Sequence, residues 1–201
     1  MSAVAIPPLS TRIAAALAAR PAKLAERDEP YHEAAVALIL RPSPVAEKDE
    51  LELMLIRRAT RSGDPWSGQI GLPGGRFSAG DASLEETALR ETREEVGLDL
   101  RAHGAVLGAL DELRPRTPVL PPIIVRPFVC LIDGAPELVL NHEVAALRWV
   151  RVAELFQPAT RVTTSVHVRD IRMKVEAFQL GDFVVWGMTE RILTTFGELW
   201  Q

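Results

Sequence analysis

The chain has 201 residues, 47% of them hydrophobic, which is enough for one sizeable core and short for two full domains. Its 23 basic and 27 acidic residues are spread along the chain with a net charge of −4, so no basic patch invites nucleic acid or a membrane surface. The single cysteine, Cys130, sits in the apolar run Val129-Cys130-Leu131-Ile132, which excludes an intrachain disulfide and makes a reducing cytoplasm the expected setting.

Ser10 is the expected N-cap of a helix running through Arg20 and stopped by Pro21, within a helical extension covering residues 1–30. Arg12 and Arg20 bracket its alanine-rich part, so it makes a weak signal peptide, and apolar runs such as residues 34–40 are far shorter than the roughly 20 residues of a membrane span. Residues 32–40 and 51–56 are apolar runs separated by Pro42, Pro44 and charges, as two paired buried strands would be. Between residues 62 and 80 the glycines Gly63, Gly68, Gly71, Gly74, Gly75 and Gly80, with Pro65 and Pro73, forbid continuous regular structure. A helix over 83–96 follows. Strands are expected at 105–110, 122–132, 137–140 and 146–152, then a hairpin over 172–185 turning at Gly181-Asp182, then a closing helix over 190–200. Strands with few intervening helices predict a mixed β-sheet covered by helices, an α/β (α+β) layered arrangement.

The helix over 83–96 carries the chemistry. Ser83 and Glu86 have the spacing of a capping box and Gly97 that of a stop, while Leu84, Ala88, Thr92 and Val96, with Leu89, give it a packing side. Glu91, Glu94 and Glu95 are spaced i, i+3, i+4, so three carboxylates project into one small volume. Each like-charge pair costs a few tenths of a kcal/mol, a penalty that a divalent cation with hard oxygen ligands, Mg²⁺ or Mn²⁺, would reverse. The alternative is a solvated helix laced by a Glu86, Arg90, Glu94 ladder of alternating sign. Just before it, Pro73-Gly74-Gly75 brings bare backbone close to the acidic helix, where a carbonyl can reach a metal or phosphate unobstructed.

Outside the helix, Arg57, Arg58 and Arg61 lie between a strand and the glycine-rich passage, and either hold substrate phosphates or stay solvated. Trp66 either stacks on a base or plugs the loop, whereas Trp149, Trp186 and Trp200 are assigned to core or interface. Glu143, in the polar loop Asn141-His142-Glu143, is a candidate general base or a surface carboxylate. The four histidines lack ligand spacing, and no serine stands in a nucleophile motif.

The segment Gly75-x5-Asp81-x8-Arg90-Glu91-Thr92-Arg93-Glu94-Glu95-Val96-Gly97-Leu98 resembles the Nudix box, the signature of hydrolases acting on a nucleoside diphosphate linked to another moiety. It departs by one extra residue before Arg90, by Asp81 where a glutamate normally stands, and by Thr92 at a commonly aliphatic position. The longer spacing is similar to that of the coenzyme A pyrophosphatase branch. So is Trp66-Ser67-Gly68-Gln69-Ile70-Gly71-Leu72-Pro73-Gly74-Gly75, although Trp66 replaces that branch's histidine. Asn141-His142-Glu143-Val144 with Trp149-Val150, and Val185-Trp186-Gly187-Met188-Thr189-Glu190-Arg191-Ile192-Leu193, resemble the same branch.

This resemblance implies a Nudix-type α/β/α sandwich over residues 31–201. It implies Glu91, Glu94, Glu95 and the Gly75 carbonyl as ligands of Mg²⁺ or Mn²⁺, with Arg90 orienting the glutamates. Glu94, Arg90 and Glu143 would be the catalytic set, and Arg57, Arg58, Trp66 and Gly74 the substrate-binding set. The expected reaction is metal-dependent hydrolysis of coenzyme A or acyl-coenzyme A to 3′,5′-ADP and (acyl)phosphopantetheine. ADP-ribose, NADH or another nucleoside diphosphate derivative is the alternative substrate, and a catalytically silent nucleotide sensor the alternative of another class. The partner is therefore a nucleotide-type small molecule, and family habit leaves room for a homodimer.

Overall fold

The computed structural model describes residues 8–44, 50–64, 66–115, 121–168 and 171–200. In chain order it contains α1 (Leu9–Ala19), β1 (His32–Pro42), β2 (Leu51–Arg58), β3 (Ile70–Gly71), β4 (Gly74–Arg76), α2 (Leu84–Val96), α3 (Leu100–His103), β5 (Gly104–Ala109) and β6 (Ile123–Ile132). There follow β7 (Val144–Arg151), α4 (Val152–Leu155), β8 (Arg161–Val168), β9 (Ile171–Leu180), β10 (Phe183–Trp186) and α5 (Gly187–Trp200). Pro65 and the side chain of Trp200 lie outside the described set.

The main sheet forks. Along one edge β1 pairs with β6 in parallel from His32–Ile123 to Leu40–Leu131. Along the other it meets β2 only at Leu40, Arg41 and Pro42, opposite Leu53, Glu52 and Leu51. Beyond that point the two strands diverge, and the glycine-rich passage fills the gap. Ile70 of β3 pairs with Arg57 of β2, while Gly74 and Gly75 of β4 pair with Val36 and Ala35 of β1. The Pro73 carbonyl between them accepts from the Ala37 N–H at 2.8 Å. β7 runs antiparallel along the far edge of β2, and β5 antiparallel to β6, which makes the sheet mixed.

Alternation along the strands builds two cores. Ala35, Ala37 and Ile39 of β1, Met54 and Ile56 of β2, and Cys130 and Ile132 of β6 pack with Leu84, Ala88, Leu89 and Val96 of α2. Their neighbours Leu38, Leu40, Leu53, Leu55 and Val129 face the other way, against Ile13 and Leu17 of α1, Phe178 of β9, and Ile192, Leu193 and Phe196 of α5. Helices thus cover both faces, an α/β/α sandwich. Full burial of each such side chain is worth about 1.5–3 kcal/mol, so the fully buried Ile13 ties α1 into the same core as α5. Burial also places Cys130 in the interior, where desolvation pushes its thiol pKa up to about 12.

Several elements differ from the sequence-based expectation. α1 starts at Leu9 with no side-chain cap, because the buried Leu9 is drawn into the helix and Ser10 becomes an interior residue. Ser83 does cap α2 by accepting from the Glu86 N–H at 3.2 Å, but the Glu86 carboxylate turns to Arg101, so the box is half formed. Residues 137–140 form no strand. The N–H groups of Val139 and Asn141 instead donate to the Val96 and Glu95 carbonyls at 3.0 and 2.9 Å, finishing α2 beyond Gly97, whose φ is 72°. β8 was not anticipated; it joins β9 and β10 in a second, three-stranded sheet whose predicted hairpin turns at Gly181. Among the described residues no helix is long and apolar enough to cross a membrane.

Candidate active site

The fork brings three parts of the chain together: the end of β2, the glycine-rich passage, and the face of α2 that looks toward β4. Glu95, on the fourth turn of α2, lies almost wholly inside with its side chain 2% exposed. Its carboxylate accepts from the Gly74 N–H at 3.0 Å and has an Arg58 nitrogen at 3.7 Å. Burial outweighs both and pushes its pKa up to about 7. Glu91, one turn earlier, is also raised, again chiefly by burial and against the pull of Arg90.

Bare backbone is required here. A Cβ on Gly75 would stand 2.4 Å from the Glu91 carboxylate carbon, and one on Gly74, whose φ is 154°, only 2.3 Å from the Ala35 carbonyl oxygen. Both glycines are therefore fixed by a close approach, and Gly74 by its positive φ as well. The oxygen donors that line this region are two carboxylates and the backbone of Gly74 and Gly75, hard ligands of the kind Mg²⁺ and Mn²⁺ prefer. Among the described residues no group of three or more His, Cys, Asp or Glu side chains is arranged so that it could hold a metal ion, so Glu91, Glu94 and Glu95 do not converge as a three-carboxylate site. Mg²⁺ commonly takes one or two carboxylates and fills its shell with substrate phosphate and water, so the residues fit such an ion.

Arg90 sits at the hub of the carboxylates. Its Nε donates to Asp81 at 2.8 Å, and its Nη1 lies 2.9 Å from Glu91 and 3.0 Å from Glu94. Asp81 is held in turn by the Ser78 N–H and the Thr87 hydroxyl, at 3.0 and 2.9 Å. The Arg90 guanidinium keeps the Asp81 carboxyl well below the usual carboxylate range. In the sequence Asp81 stands out only as a departure from the box pattern, and its place nine residues ahead of Arg90 is the signal for this anchoring. Glu94 differs from its two companions, for its side chain is 56% exposed and it pairs with Arg90 from the solvent side.

A cavity of about 730 Å³ opens over this cluster, lined by Glu91, Glu95, Glu143, Arg58, Gly74 and Gly75 at its acidic part. Trp66 forms an apolar wall with Ala34, Val36, Ile123, Val125 and Met188. Glu143 reaches the cavity from the loop before β7, where its backbone N–H donates to the Asn141 side chain at 2.7 Å and its carboxylate holds Arg61 at 2.9 Å. Arg58 reaches the cavity and binds Asp64 at 3.1 Å, while its buried Nε has no partner. Arg57, on the opposite face of β2, is not brought into this group. It pairs with Asp182 at 2.6 Å, lies over the Phe183 ring and lines a separate cavity beside β8 and β10. Trp186, expected in core or interface, lines both cavities.

A model of the NUDIX domain matches residues 30–169. The chain belongs to the Nudix family. An uncharacterized protein of Schizosaccharomyces pombe is 41% identical over 110 residues, 53% of this chain and 33% of its own length. An uncharacterized Nudix hydrolase, NudL, of Salmonella paratyphi B is 32% identical over 128 residues, 63% of this chain and 64% of its own. The chain thus spans about one third and somewhat under two thirds of these two relatives. Among solved structures, a MutT/nudix family protein from Enterococcus faecalis aligns with a TM-score of 0.57 at 22% identity, covering 87% of this chain and 64% of that one. A C. elegans Ap4A hydrolase binary complex aligns with a TM-score of 0.50 at 18% identity, covering 61% and 82%. At these identities the two structures speak for the Nudix fold alone.

Proposed function

We propose that this Nudix domain is a pyrophosphatase that uses Mg²⁺ or Mn²⁺ to hydrolyse a diphosphate linkage in a nucleotide-type small molecule, with coenzyme A or acyl-coenzyme A as the preferred substrate. The observation that carries this reading is Glu95: a carboxylate inside the protein, raised to about 7 and left with one backbone N–H and a distant arginine. A site that holds two such carboxylates against bare glycine backbone gains most from a divalent cation.

Glu91, Glu95 and the Gly75 carbonyl would hold the ion, with Glu94 reached through its shared partner Arg90. The metal, when bound, supplies Lewis acidity to the diphosphate and to the attacking water. The chain's own groups do the rest. Arg90, locked by Asp81, keeps the glutamates in register. Arg58 offers a guanidinium to phosphate oxygens from the wall of the cavity. Glu143 is the proposed base, accepting the proton of the water whose oxygen bonds to phosphorus as the bridging P–O bond breaks. The apolar wall around Trp66 receives the remainder of the substrate. The buried thiol of Cys130, remote from catalysis, is consistent with a reducing, cytoplasmic setting.

The test is a panel of coenzyme A, acyl-coenzyme A, ADP-ribose, NADH and nucleoside triphosphates with each metal, a Glu91→Gln control, and products identified by mass. Cleavage of coenzyme A to 3′,5′-ADP, lost in the control, is expected. Turnover of another compound alone would refute the coenzyme A assignment. Absence of any metal-dependent turnover would favour the silent sensor.

A further inference from the structure

The arginines around the cavity fall into two groups. Arg58 is paired with Asp64, Arg90 with Asp81, and Arg61, just behind, with Glu143. Arg76 and Arg191 also line the cavity, yet among the described residues neither guanidinium has an ion pair or a hydrogen bond.

Both side chains are exposed, and each starts from a backbone position that the fold sets. Arg76 closes β4 and stands opposite Ala34 in the antiparallel register, so its side chain leaves the sheet on the face carrying Ala34 and the apolar wall. Its carbonyl accepts from Arg90 at 3.3 Å, which ties that backbone to the acidic cluster. Arg191 lies on α5 three residues after Met188, and therefore on the same side of that helix as the methionine that packs into the wall. Two cations on different elements thus border one apolar wall, and among the described residues neither pairs with Glu91, Glu95 or Glu143, which line the same cavity.

We infer that Arg76 and Arg191 form an anion site that holds a phosphomonoester of the substrate, separate from the diphosphate being cleaved. This rests on the pyrophosphatase reading above and deepens it. A phosphomonoester offers three strong acceptor oxygens and close to two negative charges, and two guanidiniums match it in charge and in donor geometry. The diphosphate is served by the box and its glutamates, within the segment that matches the family model. Arg191 lies outside that segment, which ends at residue 169. Such a residue suits the part of the substrate in which family members differ. Coenzyme A carries such a phosphate on its ribose; 3′-dephospho-coenzyme A, ADP-ribose and NADH do not.

Two measurements test this on the full chain, with Arg76→Gln, Arg191→Gln and the double variant. The first compares kcat/KM for coenzyme A and 3′-dephospho-coenzyme A with Mg²⁺. The expected preference for coenzyme A is about tenfold per arginine, and it collapses toward one in the double variant while dephospho-coenzyme A is turned over as before. Equal turnover of the two by the wild type, or equal loss on both in the double variant, would overturn the proposal; the second result would assign the arginines to the diphosphate. The second measurement is calorimetric binding of 3′,5′-ADP and 5′-AMP in chelator. Tighter binding of 3′,5′-ADP, lost in the double variant, supports the site even if no diphosphate is hydrolysed, an outcome that would defeat only the pyrophosphatase reading. Equal binding of the two nucleotides overturns the anion site.

Discussion

Two glutamates have side chains almost closed to solvent and meet opposite surroundings. The Glu112 side chain is 0% exposed and is satisfied on every side: Arg27 donates at 2.9 Å, the Ala25 N–H at 2.8 Å, and Arg126 through two nitrogens. Burial drives its pKa up, but these donors together drive it further down, and it ends below the ordinary value. Glu95 is 2% exposed and has one backbone N–H with Arg58 at 3.7 Å, so burial wins and its pKa rises to about 7. A buried charge costs several kcal/mol unless fully compensated. Glu112 is a finished structural joint between the segment after α1 and the strand β6. Glu95 is a deficit held in place by the fold, and a divalent cation is what would settle it.

Substitutions can break or sharpen this contrast. The largest effect is expected from Glu91→Gln or Glu95→Gln, which should lower kcat/KM for the diphosphate substrate by about a thousandfold, since the charge stabilisation lost with the ion is worth several kcal/mol. Glu112→Gln should behave oppositely. It leaves two arginines without their shared acceptor and should cost about 3 kcal/mol in urea unfolding, while the protein that remains folded keeps its kcat/KM.

The acid sides of the two should differ in sign as well. The Glu112 pKa is lower folded than unfolded, so the stability it contributes is present above its ordinary value of 4.5 and is lost as pH falls through the folded value. The Glu95 pKa is higher folded than unfolded, so its favourable share is complete below 4.5 and is lost as pH rises through about 7. Metal-free Glu95→Gln should therefore be more stable than the wild type at pH 8, by about 3 kcal/mol, and indistinguishable from it near pH 4. A loss of stability at pH 8 would mean that Glu95 is as well satisfied as Glu112. The smallest effect is expected from Asp81→Asn, which loosens Arg90 without touching a glutamate. It should weaken metal affinity about tenfold, measured by the Mn²⁺ concentration at half-maximal rate.

How far the sequence could be read follows the same division between local and long-range causes. α2 was legible to within a residue, because Ser83, Gly97 and the Leu84, Ala88, Thr92, Val96 stripe are local signals that the structure honours. The glutamate spacing showed that carboxylates would gather. It could not show that Glu95 goes inside while Glu94 goes out, since that depends on β4 lying alongside α2. Arg57 and Arg58 are neighbours in sequence and were read together, but strand alternation sends them to separate cavities. The apolar run Leu138-Val139-Leu140 suggests a strand over 137–140, whereas the N–H groups of Val139 and Asn141 are used to finish a helix. β8 was missed because its alternating valines and polar residues form no apolar run, and its pairing with β9 is seen only in the fold.

The most direct test of the central claim is calorimetric titration of Mn²⁺ into metal-free protein at pH 7, in two buffers of different ionisation heat, for the wild type, Glu95→Gln and Glu112→Gln. The account predicts that the wild type binds Mn²⁺ with release of protons, because the ion displaces those held by a carboxylate titrating near 7. Glu112→Gln should bind in the same way, and Glu95→Gln should bind at least about tenfold more weakly and with less proton release. Equal affinity and equal proton release in the wild type and Glu95→Gln would contradict it.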